Sequence, residues 1–545
     1  MTPVLVVGAG PTGLTAAIEL SRLGVEVRIV DRATAPSTTS RALGVQARTI
    51  ELLRPRGVAD EMLRLGNRVS ATTLYADGRR LAGIELHRMP SEFNFILMLA
   101  QSETERLLTE QLQRQGVTVE RSVEFVSVTQ DGEAAHVVLR HAGGRTENVR
   151  ASYVIAADGS HSPIRKSLGL GFEGRSLAQS YVLGDVHLAG AVPQDQLSIF
   201  LAPNGFLAVF PMGDGRFRFM ATDPDGVTGD ADEPSLEDIQ RLYGRTAHVP
   251  AQLYGLNWSS RFRINSRHMG TLRSGRVFFG GDAAHVHSPA GGQGMNAGIQ
   301  DMINLGWKLA MVLRGAARPE LLDTYESDRL PVIRQLVTMT ERATKVFNST
   351  NPIAHALLVR ITPALLSRSS VQDNAAPRLG QIAASYRGMP IARGGGGVGR
   401  LRAGDRVPDV HLPEGSLYDL LDPSRLTLFV TGFVTDEAGP AMAAVRECAG
   451  EWVPAIAVRR VAPSSELAQH PAWLLVRPDG YLAAAGSADE GNRLHRWLAK
   501  WLVVRRHDTN ASSASLVSES ARPSSSSINA HSAVAATHNL ADRRG

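Results

Sequence analysis

The start of the chain most constrains its fold. Residues 3–7 are an apolar, β-branched run that ends in Gly8-x-Gly10-x-x-Gly13. The stretch that follows, TGLTAAIELSRLG, places Leu14, Ala17, Ile18 and Leu20 at helical spacing before Gly24 stops it. A second apolar run, VEVRIVDR, then carries Asp31 near its end. Strand, glycine turn, helix and strand within about 30 residues make a βαβ crossover, which commits the chain to a parallel sheet. In such a unit glycines permit a tight turn and close backbone approach to a pyrophosphate resting on the helix's positive end. An acid at the end of the next strand reaches the adenosine ribose. Gly8, Gly10, Gly13 and Asp31 are therefore expected to bind a dinucleotide.

Composition excludes several classes of function. At 545 residues the chain needs several cores. Its 58 Lys+Arg against 53 Asp+Glu leave a formal charge of only +5, too little for a nucleic-acid footprint. The single cysteine, Cys448, permits no disulfide framework or thiolate metal cluster within the chain. No apolar run reaches the ~18 residues a membrane span requires. The first residues, MTPVLVVGAG, lack the basic start and cleavage site of a secretory signal, so a cytoplasmic location is expected.

A second glycine-rich segment identifies the dinucleotide. RVFFGGDAAHVHSPAGGQGMN at 276–296 runs from a strand through Asp282 into a loop with Pro289, Gly291, Gly292 and Gly294, then into a helix. Asp282, at a strand's carboxyl end, can accept hydrogen bonds from a ribityl chain. The backbone N–H groups that this glycine loop exposes at the helix start would stabilise negative charge on a reduced isoalloxazine. FAD is the cofactor this pair of motifs suits. Between them, 176–264 alternates with aromatics and turns near Pro203-Asn204-Gly205 and Gly213-Asp214-Gly215, predicting an antiparallel sheet.

With a third motif, Asp158-Gly159-Ser160-His161-Ser162-Pro163-Ile164-Arg165, the chain resembles the single-component (group A) flavoprotein monooxygenases, the FAD- and NAD(P)H-dependent aromatic hydroxylases. The three ordered motifs frame roughly 1–350. The likeness is to the phenol-hydroxylase and polyketide-hydroxylase branch. It implies an α/β fold: a Rossmann-like FAD-binding domain at 1–175 plus 265–350, with an inserted antiparallel substrate domain at 176–264 to which part of 70–100 contributes. A helical connector at 351–399 and a thioredoxin-like α/β domain at 400–505 would follow, then a disordered tail at 506–545. Without CxxC, the thioredoxin-like part would pack or support a homodimer.

The resemblance also implies roles. Thr12 and Gly13 would lie on the pyrophosphate, Asp31 on the ribose, and Phe125 or Val126 beside the adenine. Gln101 would contact the cofactor, Met295 with Asn296 beside Gly294 would supply N–H donors to the flavin ring, and Asp158 would meet both FAD and NAD(P)H. Arg41 would sit near the pyrophosphate and the mobile flavin, and Pro289 would line the reacting face. The expected reaction is hydroxylation of a phenolic or polycyclic aromatic substrate by NADH or NADPH and dioxygen through a flavin C4a-hydroperoxide. An FAD-dependent reductase or dehydrogenase, a Baeyer–Villiger oxygenase and a non-catalytic flavin binder are the alternatives.

Phe210, Met212, Phe217 and Phe219 are candidates for the substrate wall, with ordinary core packing as the equal alternative. His285 and His287 alternate on the loop, but no Cys or Glu-x-x-His partner accompanies them, so no metal is expected. Trp497 and Trp501, four apart on the last helix, suit a packing stripe.

Overall fold

The computed structural model describes residues 2–504 except 39–41, 204, 224–232, 290, 350, 414, 432–444, 446–447, 451, 453–454, 462–466 and 468–469. The expectations for Arg41, for Asn204 and for the 506–545 tail therefore lie outside the described residues.

The N-terminal crossover forms as its pattern dictates. β1 (Thr2–Val7) and β2 (Val27–Asp31) pair in parallel around α1 (Pro11–Arg22). The parallel sheet runs in the order Val277–Phe279, Thr146–Ala156, β1, β2, Glu120–Arg121. Strand Thr146–Ala156 does two jobs, which its burial makes visible. Its first half alternates exposed and covered positions and pairs antiparallel with Ala135–His141. Its second half, from Ala151, is buried on both faces, as a strand inside a parallel sheet must be.

Helix α1 packs against the helices Gln101–Arg114 and Gly294–Leu313. The latter is buried from Asn296 to Met311, its apolar faces packed into the core and its polar stripe of Asn296, Gln300, Asn304 and Lys308 satisfied by buried hydrogen bonds. Gly306 on that helix leaves room for Glu19, whose Cγ would lie 2.3 Å from a β-carbon there. The Glu19 carboxylate is wholly buried and paired with Arg56 at 2.5 Å and Arg22 at 2.9 Å.

A second sheet of eight strands stands beside the first. Its core strands are Glu173–Gly190, Gln196–Ala202, Gly205–Gly213, Arg216–Thr222 and Ala251–His268, which pair with one another antiparallel. Two earlier strands, Ala71–Ala76 and Arg79–Glu85, extend its edge, the first joining Gln196–Ala202 in parallel. Helix Leu236–Ala247, started by a Ser235/Asp238 capping box, covers one face. It buries Ile239, Leu242 and Tyr243 against Val182, Phe200, Phe217 and Phe219.

The C-terminal unit is a four-stranded sheet centred on Leu426–Thr431. That strand pairs in parallel with Ile456–Arg460 and antiparallel with Ala472–Val476, and Leu482–Ser487 closes the edge. The amphipathic helix Gly491–Trp501 packs on the sheet with Trp497 and Trp501 buried, and Trp497 Nε1 donates to the Ile391 carbonyl at 2.8 Å. This strand order, with its parallel and antiparallel pairs, is that of a thioredoxin-like sheet.

Buried charges bolt this unit to the first domain. Asp328 accepts from Lys308 at 2.8 Å and faces Arg477 at 3.0 Å, all three shut away from water. Arg48 reaches the Asp479 carbonyl at 2.6 Å, and Glu51 receives both Arg48 and Arg406. Burial draws the Lys308 ammonium down to about 8 even though Asp328 holds it up. Such charges persist in a core only where every partner is present.

Candidate active site

The carboxyl ends of β1, Thr146–Ala156 and Val277–Phe279 open onto one cavity of about 780 Å³, which Gly10, Ala157 and Asp282 line while Asp31 at the end of β2 does not, the position where open α/β sheets take ligands. Its far wall is the antiparallel sheet.

The first glycine turn is shaped as a cradle. A β-carbon on Gly13 would stand 1.9 Å from the Gly8 carbonyl oxygen, and one on Gly8, at φ +103°, would stand 2.2 Å from that of Ala157. Both positions exclude side chains so that turn, helix and sheet can close up. Gly10 is the opposite case: a β-carbon there meets nothing within 4 Å, and the residue lines the cavity. Above it stands the start of α1, which has no side-chain cap. Uncapped N–H groups beneath open space suit an anionic pyrophosphate. Asp31 Oδ2 accepts the Ala9 N–H at 2.6 Å and Oδ1 that of Ala33 at 2.7 Å, so this carboxylate also holds the turn to the end of β2.

The second glycine loop lies opposite. Asp282 is exposed on the cavity wall, and Pro289, Gly294 and Met295 line it. Helix Gly294–Leu313 also begins with no side-chain cap and no acid in its first turn, which leaves its positive end for a ligand. Asn296 does something else. Its side chain is fully buried, Oδ1 accepts the Gln46 N–H at 2.9 Å, and Nδ2 donates to Gly44 and Gly292 at 2.8 Å. Its amide clamps the loop, leaving only its backbone for a flavin.

Beneath the loop, Asp301 accepts from Gly281 N–H at 3.1 Å, His285 Nε2 at 2.7 Å and Arg329 Nε at 2.8 Å. The Arg329 and His285 charges hold this carboxyl below its ordinary value against the upward push of burial. Asp301, Arg329 and Gln46 escape sequence reasoning because their partners lie 16–250 residues away and no motif contains them.

Other expected residues are placed as follows. Gln101 lines the cavity while its amide donates to Glu105 at 2.7 Å. Asp158 is not among the lining residues: Oδ2 accepts Ile164 N–H at 3.2 Å, and burial raises its carboxyl. Its Oδ1 is buried without a protein partner. The Phe125 ring is buried opposite Leu139, so only its backbone is left to meet an adenine.

The substrate wall requires correction. Phe210 lines the cavity, but Phe219 does not: it faces the covering helix, edge-on to Tyr243 at 5.8 Å. Phe217 shares that face, since alternate residues of a strand point the same way. Arg218 and Met220 take the cavity side instead, Arg218 tolerated there through paired bonds of 2.7 and 2.8 Å to Asp185. Met212 packs against the main core and is not among the cavity-lining residues. Leu183, Phe262 and Ile264 complete the apolar wall.

The geometry defines a flavin-dependent enzyme in which a cofactor cradle faces an apolar wall, and comparison with known proteins agrees. A family model described as an FAD binding domain matches residues 1–340, and one described as the C-terminal domain of aromatic-ring hydroxylases matches 401–503. The chain belongs to the FAD-dependent aromatic-ring hydroxylase family of monooxygenases. It is 36% identical over 518 residues to 6-methylpretetramide 4-monooxygenase of Streptomyces rimosus, covering 89% of this chain and 90% of that one. It is 31% identical over 526 residues to pentachlorophenol 4-monooxygenase of Sphingobium chlorophenolicum, covering 92% and 96%. Among solved structures, the OxyS anhydrotetracycline hydroxylase of Streptomyces rimosus superposes with a TM-score of 0.74 at 27% identity, over 92% of this chain and 98% of that one. Aklavinone-11 hydroxylase, solved with FAD and aklavinone, gives 0.71 at 26% identity, over 91% and 98%.

Proposed function

We propose that the protein hydroxylates a polycyclic phenolic compound of polyketide type, consuming dioxygen and NADH or NADPH. The observation that carries this reading is a cavity with glycine loops and helix starts on one side and Phe210, Met220, Phe262 and Ile264 on the other. Bound FAD would supply the redox and oxygen-transfer chemistry. The protein's own residues then have distinct tasks. Gly10, Thr12 and Gly13 seat the pyrophosphate, Asp31 and Asp282 take sugar and ribityl hydroxyls, and Gln101 steadies the cofactor. The N–H groups of Gly294, Met295 and Asn296 favour negative charge on the ring. Pro289 borders the reacting face, and the apolar wall flattens an aromatic substrate against it while excluding water. Arg41 is assigned to the approach of the nicotinamide.

In this reading 1–175 with 265–350 carries the cofactor, 176–264 with part of 70–100 carries the substrate, and 400–505 supports both through the 351–399 connector. The names of the two Streptomyces rimosus relatives, a 6-methylpretetramide 4-monooxygenase and an anhydrotetracycline hydroxylase, support the substrate class.

The test follows NAD(P)H consumption and hydrogen peroxide release together across a panel of phenols and tricyclic and tetracyclic phenolic compounds. A true substrate speeds the first and suppresses the second. A panel in which no aromatic compound does both overturns the proposal.

A further inference from the structure

We propose that the short segment 380–386, on the way to the C-terminal unit, positions the flavin-side loop by holding both of its ends, with Tyr386 and Gln381 as the positioning residues. The inference rests on the cofactor placement proposed above. The loop starts at Gly281, beside Asp282, and ends at Gln293, the residue before helix Gly294–Leu313.

The first end is held through Arg329. This buried guanidinium donates from Nε to Asp301 at 2.8 Å, from Nη2 to the Ala297 carbonyl at 3.2 Å and from Nη1 to the Tyr386 hydroxyl at 3.1 Å. Asp301 in turn holds the Gly281 N–H at 3.1 Å. Tyr386 is fixed from its other side by the C-terminal unit. Its ring lies against Tyr481 with centroids 4.3 Å apart, and the Arg477 guanidinium sits 5.0 Å from its centroid. Its N–H donates to the Gly404 carbonyl at 2.7 Å.

The second end is held by Gln381. Its Oε1 accepts from Gln300 Nε2 at 2.6 Å, and its Nε2 reaches the carbonyl oxygen of Gln293 at 3.4 Å. Gln293 is buried and borders the cavity. Gln381 makes these contacts at φ +58°, a left-handed backbone that is unfavourable for any residue with a β-carbon. Glycine would adopt it freely, so what glutamine adds at this position is its amide, and that amide is committed to the flavin-side helix. One residue earlier, the Gly380 carbonyl accepts the Arg48 N–H at 3.0 Å, which anchors the segment itself. A loop ordered at both ends loses little freedom when FAD binds. Released at either end, it must be ordered by the ligand, and affinity falls.

The experiment titrates FAD into flavin-free native protein, Tyr386→Phe and Gln381→Gly, reading dissociation constants from flavin fluorescence. Each variant is expected to bind about three- to tenfold more weakly, the worth of one hydrogen bond. Tyr386→Phe keeps the ring between Arg477 and Tyr481. Gln381→Gly removes the amide while relieving the backbone, so its thermal midpoint without flavin should stay close to the native one. Amide hydrogen exchange in the flavin-free variants should quicken between Gly281 and Gln293 and stay native in strands Leu426–Thr431 and Ala472–Val476. Native affinity in either variant overturns the proposal. Weaker affinity with faster exchange throughout the C-terminal sheet also overturns it, assigning both residues to the fold of the joint alone. If the native protein takes up no FAD, the cofactor reading fails, and this inference with it.

Discussion

Thr12 and Gly298 touch so closely that a β-carbon on Gly298 would lie 2.3 Å from the Thr12 Oγ1. The same hydroxyl would lie 2.3 Å from a β-carbon on Gly281. One small side chain of the first glycine turn therefore fills a notch made by glycines of the second segment, almost 300 residues later. This contact sets the spacing between the two halves of the cofactor site.

Gly298→Val should force those halves apart. Overpacking of this kind costs about 1–3 kcal/mol, which predicts FAD affinity reduced by about tenfold or more in a fluorescence titration of flavin-free protein. Affinity equal to that of the native protein would mean that the notch does not set the site.

Asn296→Ala removes a side chain that ties Gly44, Gln46 and Gly292 together. Buried groups left without partners cost about 1–3 kcal/mol each, so thermal unfolding should begin at a clearly lower temperature. Coupling of NAD(P)H use to product should also worsen as the loop loosens. A melting curve superposable on the native one would refute the clamp.

Asp328→Ala leaves the buried Lys308 with no carboxylate partner, only the Asn304 oxygen, and takes one of two carboxylates from Arg477, which keeps Asp479, in the joint between the first domain and the C-terminal unit. Breaking a buried pair from one side costs about 3–5 kcal/mol. Limited proteolysis should then release the C-terminal unit faster, and unchanged resistance would show that the joint is held by its apolar contacts alone.

Acid should weaken the α1 packing in a defined window. Burial pushes the Glu19 carboxyl up, but the Arg22 and Arg56 charges prevail and lower it from 4.5 to about 2. A carboxyl depressed in the folded state contributes stability above its unfolded value, and this is lost as pH falls from about 4.5 toward 2. Denaturant midpoints measured across that range should fall more steeply for the native protein than for Glu19→Gln. Parallel slopes would contradict the pairing.

The N-terminal crossover was legible in the sequence because period, glycines and terminal acid all lie within one short stretch. The loop at 282–296 was legible for the same reason. What could not be read was the choice between the two faces of Arg216–Thr222. Alternation separates Phe217 and Phe219 from Arg218 and Met220, but only the covering helix Leu236–Ala247 decides which pair is turned away from the cavity. An arginine beside the substrate wall is counter to local hydrophobicity and depends on Asp185, a residue of another strand. Asp301 and the side-chain role of Asn296 were opaque in the same way, since their partners lie on loops that only tertiary structure brings to them. The edge strands Ala71–Ala76 and Arg79–Glu85 reach the second sheet across more than 100 residues, a pairing that periodicity alone does not reveal.

The most direct measurement is a titration of flavin-free protein with FAD, comparing the native chain with Gly13→Val in the first turn and Asp282→Ala in the second loop. One site shared by both segments predicts saturation at one FAD per chain, and both substitutions weakening that same binding event. Undiminished binding by either variant, or two binding events that respond separately, would contradict it.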